Sequence, residues 1–440
     1  MSIRIIQTGR PLGDPAVAAV REALRAGGLT AGAAGQGDVR GVVRDIIADV
    51  AARGDQAVID LTARLDKASL SPDRLRVARE EIAAAHRAAD PEFLALIRRV
   101  RASIREYQER ILQRSPPPLR RGGRQLGVRY TPVDRVGVYV PGGRALYPST
   151  VLMTVVPAQV AGVRQIAVVS PPTTNGDVNP MVLALAGELG IDEVYRVGGA
   201  QAVAALAVGT QTIRRVDKIV GPGNAFVTEA KRQVFGRVGI DIIAGPSEVL
   251  IVADEAARAE WIAADMLAQA EHDPGSAVLV TPSAGLARAV AAAIDEQLPR
   301  LDRCQAAGAA IEAYSAIIVV DDMGAACEVA NDFAPEHLQI VTRDDESVLG
   351  RIRHAGAIFV GPQATVPLGD YCAGPSHVLP TGGTARFFGP LDCNDFLKAS
   401  SVVRYDAASL AEDAADAIDF ASREGLTAHA KAVEIRRHGG

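Results

Sequence analysis

The chain has 440 residues, 48% of them hydrophobic and 22% charged, with a formal net charge of −5 at pH 7. That length exceeds what one hydrophobic core supports and predicts two to four domains, and the acidic balance gives no footing to a nucleic-acid partner. No apolar run approaches the length needed to span a bilayer, no secretion signal is evident at the N-terminus, and Cys304, Cys327, Cys372 and Cys393 include no Cys-x-x-Cys pair. A reduced, cytoplasmic compartment is therefore expected, without a disulfide framework.

Residues 1–125 read as mostly helical, with apolar spacing for helices over 39–52 and 55–65, a long charged amphipathic helix over 91–114, and a small-residue loop over 27–37. From residue 126 short β-branched runs alternate with helical stretches. Strands are expected at 136–140, 165–170, 193–197 and 218–220, and helices at 149–161, 181–189, 200–208 and 225–235. After residue 245 the alternation resumes, with strands at 248–253, 277–281, 316–320, 338–342 and 357–360 and helices near 255–272, 284–296 and 323–332. Such alternation implies parallel sheets with helices on both faces. The expected fold is α/β, with two tandem parallel-sheet domains over 126–244 and 245–386. From residue 387 a short helix, a strand at 401–404 and a charged helix at 407–422 predict a small C-terminal α+β module, 387–440.

The chain has no G-x-G-x-x-G fingerprint. Glycine turns nevertheless stand where strands end: Tyr139 to Gly143, Val197 to Gln201, and Val220 to Asn224. Amides exposed at helix starts beyond strand ends can hold pyrophosphate, although each turn alone also marks a simple tight turn. Gln269 and His272, three apart on a helical stretch, share a face, and Asp370, His377 and His429 lie beside turn-forming residues. Two histidines, an aspartate and an amide oxygen would suit a catalytic zinc. Satisfied loop histidines are the reading that spacing leaves open. His86 and His438 read as surface residues, and His354 as either. Pro335 biases Ala334 away from helix and sets Glu336 beside His337, a carboxylate–imidazole pair capable of acid–base work near neutral pH.

Taken as a set, these stretches resemble the histidinol dehydrogenase family. They are Arg135 to Gly143, Gly198-Gly-Ala-Gln201, Gly221-Pro-Gly-Asn224, Ala244-Gly-Pro-Ser-Glu248, Gln269-Ala-Glu-His272, Ala334-Pro-Glu-His337, Gly369-Asp370, Gly374-Pro-Ser-His377 and Glu424 to His429, in order along residues 35–435. The resemblance implies oxidation of L-histidinol to L-histidine through L-histidinal with NAD and one Zn²⁺ per subunit, on incomplete Rossmann-like units. It implies zinc ligands Gln269, His272, Asp370 and His429. His337 is implied as general base and Glu336 as the group that activates water. Ser247, His377 and Glu424, with His337 and the ligands, are implied at the substrate, and Tyr139, Gln201 and Asn224 at NAD. It further implies that residues 1–125 pack on the catalytic domain, and that the chain is a homodimer whose C-terminal segment carries His429 into the partner's site. Departures are peripheral: Pro375-Ser376 where many members have Pro-Asn, Tyr107-Gln108 where Phe-His is expected, and Leu391 to Asn394. The alternative is a zinc and NAD enzyme of the same fold that oxidises another alcohol, such as a sulfonated diol.

Overall fold

The computed structural model describes residues 3–30, 38–142, 148–272 and 275–437, with the backbone alone at 26–30. Residues 31–37, over which a loop was expected, Gly143, Asp273, Pro274 and His438 lie outside the described residues. The chain opens with β1 (Ile5–Gln7) and α1 (Pro15–Thr30), so residues 27–30 are helical where a loop was expected. Four helices follow: α2 (Val39–Arg53), α3 (Asp55–Leu65), α4 (Arg79–Ala88) and α5 (Pro91–Ile111). A hairpin of β2 (Leu119–Arg121) and β3 (Arg124–Pro132) precedes the first parallel unit.

That unit comprises β4 (Arg135–Tyr139), α6 (Pro148–Ala161), β5 (Gln165–Ser170), α7 (Pro180–Glu188), β6 (Val194–Arg196), α8 (Gly199–Val208), β7 (Lys218–Val220), α9 (Ala225–Val234) and β8 (Gly239–Ile240). Its five strands are parallel in the order β6-β5-β4-β7-β8. Val136, Val138, Ile166 and Val168 face α5, α6 and α7 in one core cluster, while Ala167, Val169 and Ile219 face α2, α3, α8 and α9 in another. The helices of residues 38–111 thus cover this sheet, not the second one.

The second unit holds β9 (Ser247–Ala253), α10 (Ala259–Ala270), β10 (Gly275–Thr281), α11 (Ala284–Gln297), α12 (Cys304–Tyr314), β11 (Ala316–Val319), α13 (Met323–Phe333), β12 (His337–Val341), α14 (Asp345–Leu349), β13 (Ala357–Val360) and α15 (Val366–Tyr371). Its sheet is parallel in the order β1-β11-β10-β9-β12-β13. Alternate residues of the central strands divide between two cores. Val249, Ile251 and Leu279 meet Ile262, Met266 and Val290, whereas Leu250, Val252 and Leu338 meet Val17, Val329 and Phe333. Strands covered on both faces read as unbroken apolar runs, which is why their positions were legible. β1 and α12 were not foreseen.

β14 (Leu397–Arg404) runs antiparallel to β3 over eight positions, from Leu397 opposite Pro132 to Arg404 opposite Gln125. α16 (Ala407–Arg423) is anchored to this ribbon by Gly123 N, which donates to Ser409 Oγ at 2.9 Å, and by Arg124, 2.5 Å from Asp413. α17 (Thr427–Arg437) packs on α16 and has no buried residue. No helix among the described residues is long and apolar enough to cross a membrane.

Candidate active site

Asp322 starts α13 by accepting from Ala325 N, and Ala334 stops it in the left-handed conformation, φ 50° and ψ 60°. Pro335 bars any continuation of the helix. Glu336 then precedes, and His337 opens, strand β12, with 6% and 3% of their surfaces exposed. Glu336 Oε2 accepts from Ser247 Oγ at 2.6 Å and from Glu248 N at 2.8 Å. His337 Nδ1 lies 3.0 Å from the carbonyl oxygen of Glu248 and 3.5 Å from Glu336 Oε2. A carbonyl can only accept, so Nδ1 carries the proton and Nε2 the lone pair. That Nε2 is buried without a hydrogen-bond partner among the described residues and faces Asp370 Oδ1 at 3.9 Å. Burial holds His337 below the usual histidine value, leaving it neutral at pH 7.

Gln269 lies in the last turn of α10 and His272 two residues beyond its end. His272 Nδ1 donates to Gln269 O at 3.2 Å, which by the same logic frees Nε2. Both amide atoms of the buried Gln269 side chain lack partners among the described residues, and leaving such a group unmade costs about 1–3 kcal/mol. Asp370 sits on the short α15, which follows β13. Burial raises its carboxyl, and the neighbouring His337 and His272 draw it down again. The His377 Nδ1 proton is donated to Asp370 O at 3.0 Å, and Thr150 Oγ1 lies 3.4 Å from His377 Nε2. Burial lowers His377 to about 4. An orphaned amide oxygen, a free imidazole nitrogen and a carboxylate form a donor set that fits zinc and falls one ligand short of four. No three His, Cys, Asp or Glu side chains group as a metal site among the described residues.

The location departs from the usual rule for open α/β sheets. Ser247 and His337 begin their strands, and α10 returns toward the start of β10, so the site lies at the N-terminal edge of the six-stranded sheet. The five-stranded unit closes over it: Ser376 Oγ donates to Met153 O at 3.1 Å, and Thr150 meets His377, both from α6.

In that unit a cavity of about 640 Å³ opens at the C-terminal ends of β4, β5 and β7, and the strand order reverses between β4 and β7. Tyr139, Gln201 and Asn224 all line it. Gly199 N donates to Tyr139 OH at 3.0 Å, and Asn224 caps α9 through Phe226 N and Val227 N. The turn after β7 is held on both sides, with Gly221 N donating to Asp241 at 2.7 Å and the buried Lys231 donating to Gly221 O at 3.0 Å. Gly221 has φ +111°, and a Cβ there would meet Tyr139 O at 2.2 Å, so only glycine fits. The buried Gln201 Oε1 has no partner among the described residues. A cavity of this size, at this strand reversal, with a backbone turn and an orphaned amide on its wall, fits a dinucleotide.

A family model described as histidinol dehydrogenase matches residues 30–437. The chain is 52% identical to the histidinol dehydrogenase of Rhodopirellula baltica over 395 residues, covering 90% of this chain and 86% of that protein. It is also 52% identical to that of Geobacillus kaustophilus over 403 residues, 91% and 95% of the two chains. The chain belongs to the histidinol dehydrogenase family. A crystal structure of histidinol dehydrogenase from Elizabethkingia anophelis superposes with a TM-score of 0.87 at 34% identity, over 91% of this chain and 92% of that one. Membership makes the protein an oxidoreductase of histidine biosynthesis, and the matched span contains both parallel sheets except β1, and every candidate residue named above.

Within this family member the fold brings Ser247, His272, Glu336, His337, Asp370 and His377 to one place, with Gln269 one turn before His272. It does not bring Glu424 and His429 there: both are exposed, at the junction of α16 and α17, and no hydrogen bond or ion pair among the described residues joins them to the others. Three residues escaped the sequence reading. Glu248 Oε1 accepts from Glu336 N at 3.2 Å and Gly382 N at 3.1 Å, and burial beside the Glu336 charge raises its carboxyl to about 8. Asp265, on α10, accepts from Gln339 Nε2 on β12 at 2.7 Å and from Thr365 Oγ1 at 2.5 Å. Asp66 lines the cavity. A lone carboxylate inside an apolar strand or helix was the available signal for Glu248 and Asp265.

Proposed function

We propose that the chain oxidises L-histidinol to L-histidine through L-histidinal, using zinc and two equivalents of NAD⁺, as a homodimer in the cytoplasm. One observation carries the reading. His337 is buried with its Nδ1 proton committed to a carbonyl and its Nε2 lone pair open, facing the carboxylate of Asp370 at 3.9 Å.

Zinc, when bound by Gln269, His272, Asp370 and a second copy's His429, supplies a Lewis-acidic anchor for the imidazole and amine nitrogens of histidinol. NAD⁺, when held against Tyr139, Gln201 and Asn224, supplies the hydride acceptor that redox-inert zinc cannot be. His337 Nε2 accepts the carbinol proton as the hydride departs, and a neutral imidazole is the form that can do so. Glu336, its Oε2 held by Ser247 and Glu248, has a carboxyl that burial raises to about 8. Once ionised it is a stronger base than an ordinary carboxylate, suited to taking a proton from the water that hydrates the aldehyde. His337 then serves the second oxidation. Ser247, His377 and Glu424 complete the substrate's surroundings. The large exposed apolar residues Phe420, Leu426 and Ile435 on and between α16 and α17 support a second copy as the source of Glu424 and His429.

Absorbance at the NADH band on mixing enzyme, zinc, NAD⁺ and limiting histidinol tests the reading. Two NADH per histidinol are expected. One per substrate, or turnover only with a different alcohol such as a sulfonated diol, would replace it.

A further inference from the structure

In a sheet ordered like β6-β5-β4-β7-β8, the adenosine ribose of a dinucleotide lies over the end of the strand next to the first, and an acidic residue there ordinarily accepts its hydroxyls. Here that strand, β5, ends in Ser170 and continues into Pro171 and Pro172, without a carboxylate. One reaches the same cavity from elsewhere. Asp66 caps α3, and α3 packs on α8, whose first turn carries Gln201. Gln201 Nε2 donates to Asp66 Oδ2 at 3.3 Å, and Asp66 shares the cavity wall with Ser170, Pro171, Pro172 and Gln201.

We propose that Asp66 is the acceptor for the adenosine ribose, and that it selects a dinucleotide with a free 2′-hydroxyl over one phosphorylated there. The inference rests on the NAD reading above. Gln201 fixes one carboxylate oxygen and so orients the group toward the cavity. Burial raises the carboxyl to about 6, so at pH 7 it is an anion stripped of part of its water shell, and hydroxyl donors replace that water. A 2′-phosphate would instead set two negative charges against it. Among the described residues Arg64 is the cation on the same wall. Removing the Asp66 charge leaves Arg64 to govern, which tips the preference toward the phosphate.

Calorimetry on the full-length protein with ADP-ribose and its 2′-phosphate tests this without any redox chemistry. The wild type is expected to bind ADP-ribose more tightly than the phosphate. Asp66→Asn keeps the acceptor for Gln201 and loses the charge. It is expected to weaken ADP-ribose about tenfold, the worth of a hydrogen bond to a charged group, and to narrow or reverse the preference. The melting temperature and the KM for histidinol should hold, with the KM for NAD⁺ raised more than kcat is lowered, and Asp66→Glu should recover part of the preference. If the wild type binds ADP-ribose and Asp66→Asn and Asp66→Ala change neither affinity nor preference, the role of Asp66 is overturned while the cavity assignment stands. If the wild type binds no ADP-ribose, the cavity assignment fails and the inference with it.

Discussion

A histidine whose Nδ1 proton is tied to a main-chain carbonyl has one task left for its other nitrogen, and in His337 that nitrogen is buried and open. Replacement by asparagine preserves a donor at roughly the Nδ1 position and removes the proton acceptor. His337→Asn should therefore cut kcat by about 100- to 10,000-fold, with zinc content and ADP-ribose affinity unchanged. Steady-state rates with metal analysis check this, and a variant with normal kcat would remove His337 as base. The Glu336–His337 pair was legible because Pro335 breaks the pattern in front of it. Glu248 was not, since its neighbours Val249 to Val252 read as an ordinary buried strand, and only the fold shows its carboxylate gripping Glu336 N and Gly382 N.

Between elements, single carboxylates act as ties. Asp265 joins α10, which carries Gln269 and leads into His272, to the strand of His337 through Gln339 and to the start of α15, which carries Asp370, through Thr365. Groups that orient ligands are each worth about 10- to 100-fold in metal affinity. Asp265→Ala should lower zinc affinity by that factor in a chelator competition while leaving ADP-ribose binding alone, and an unchanged zinc affinity would show that the tie does not position the ligands. Glu188 on α7 is a second tie. It meets Arg98 on α5 at 2.8 Å and His86 on α4 at 3.0 Å, so His86 is half-buried and bonded where a plain surface residue was expected. Arg98, and then His86, hold the Glu188 carboxyl at about 2 despite the opposing effect of burial. A depressed carboxyl stabilises the fold above its unfolded value near 4.5 and loses that contribution as pH falls toward 2. Glu188→Gln should cost on the order of 1 kcal/mol at pH 7, allowing for solvent screening of the exposed Arg98. In urea unfolding the gap from wild type should shrink steadily below pH 4.5, and a gap independent of pH would argue that the charge contributes nothing.

At the scale of the molecule, the site is a junction. The N-terminal edge of one parallel sheet faces the unit built on the other, whose α6 meets Ser376 and His377 through Met153 and Thr150. Alternating apolar runs revealed both sheets, but not which edge of each would be used. They also hid β3, a half-exposed strand whose partner, β14, lies more than 260 residues later. The family resemblance named Glu424 and His429, yet their own chain leaves them exposed on the outer helices. On the proposed reading a second copy completes the site. Mixing inactive His337→Ala and His429→Ala subunits should restore activity in hybrid dimers, where one of the two sites can draw intact residues from both chains. No recovery despite verified subunit exchange would mean that each chain builds its site alone.

The most direct measurement is diffraction at the zinc absorption edge from crystals grown with zinc and histidinol. The expected result is one zinc per chain, about 2 Å from Gln269 Oε1, His272 Nε2, an Asp370 oxygen and the partner copy's His429, with the substrate hydroxyl against His337 Nε2. Zinc bound elsewhere, or histidinol seated away from Glu336 and His337, would contradict the account.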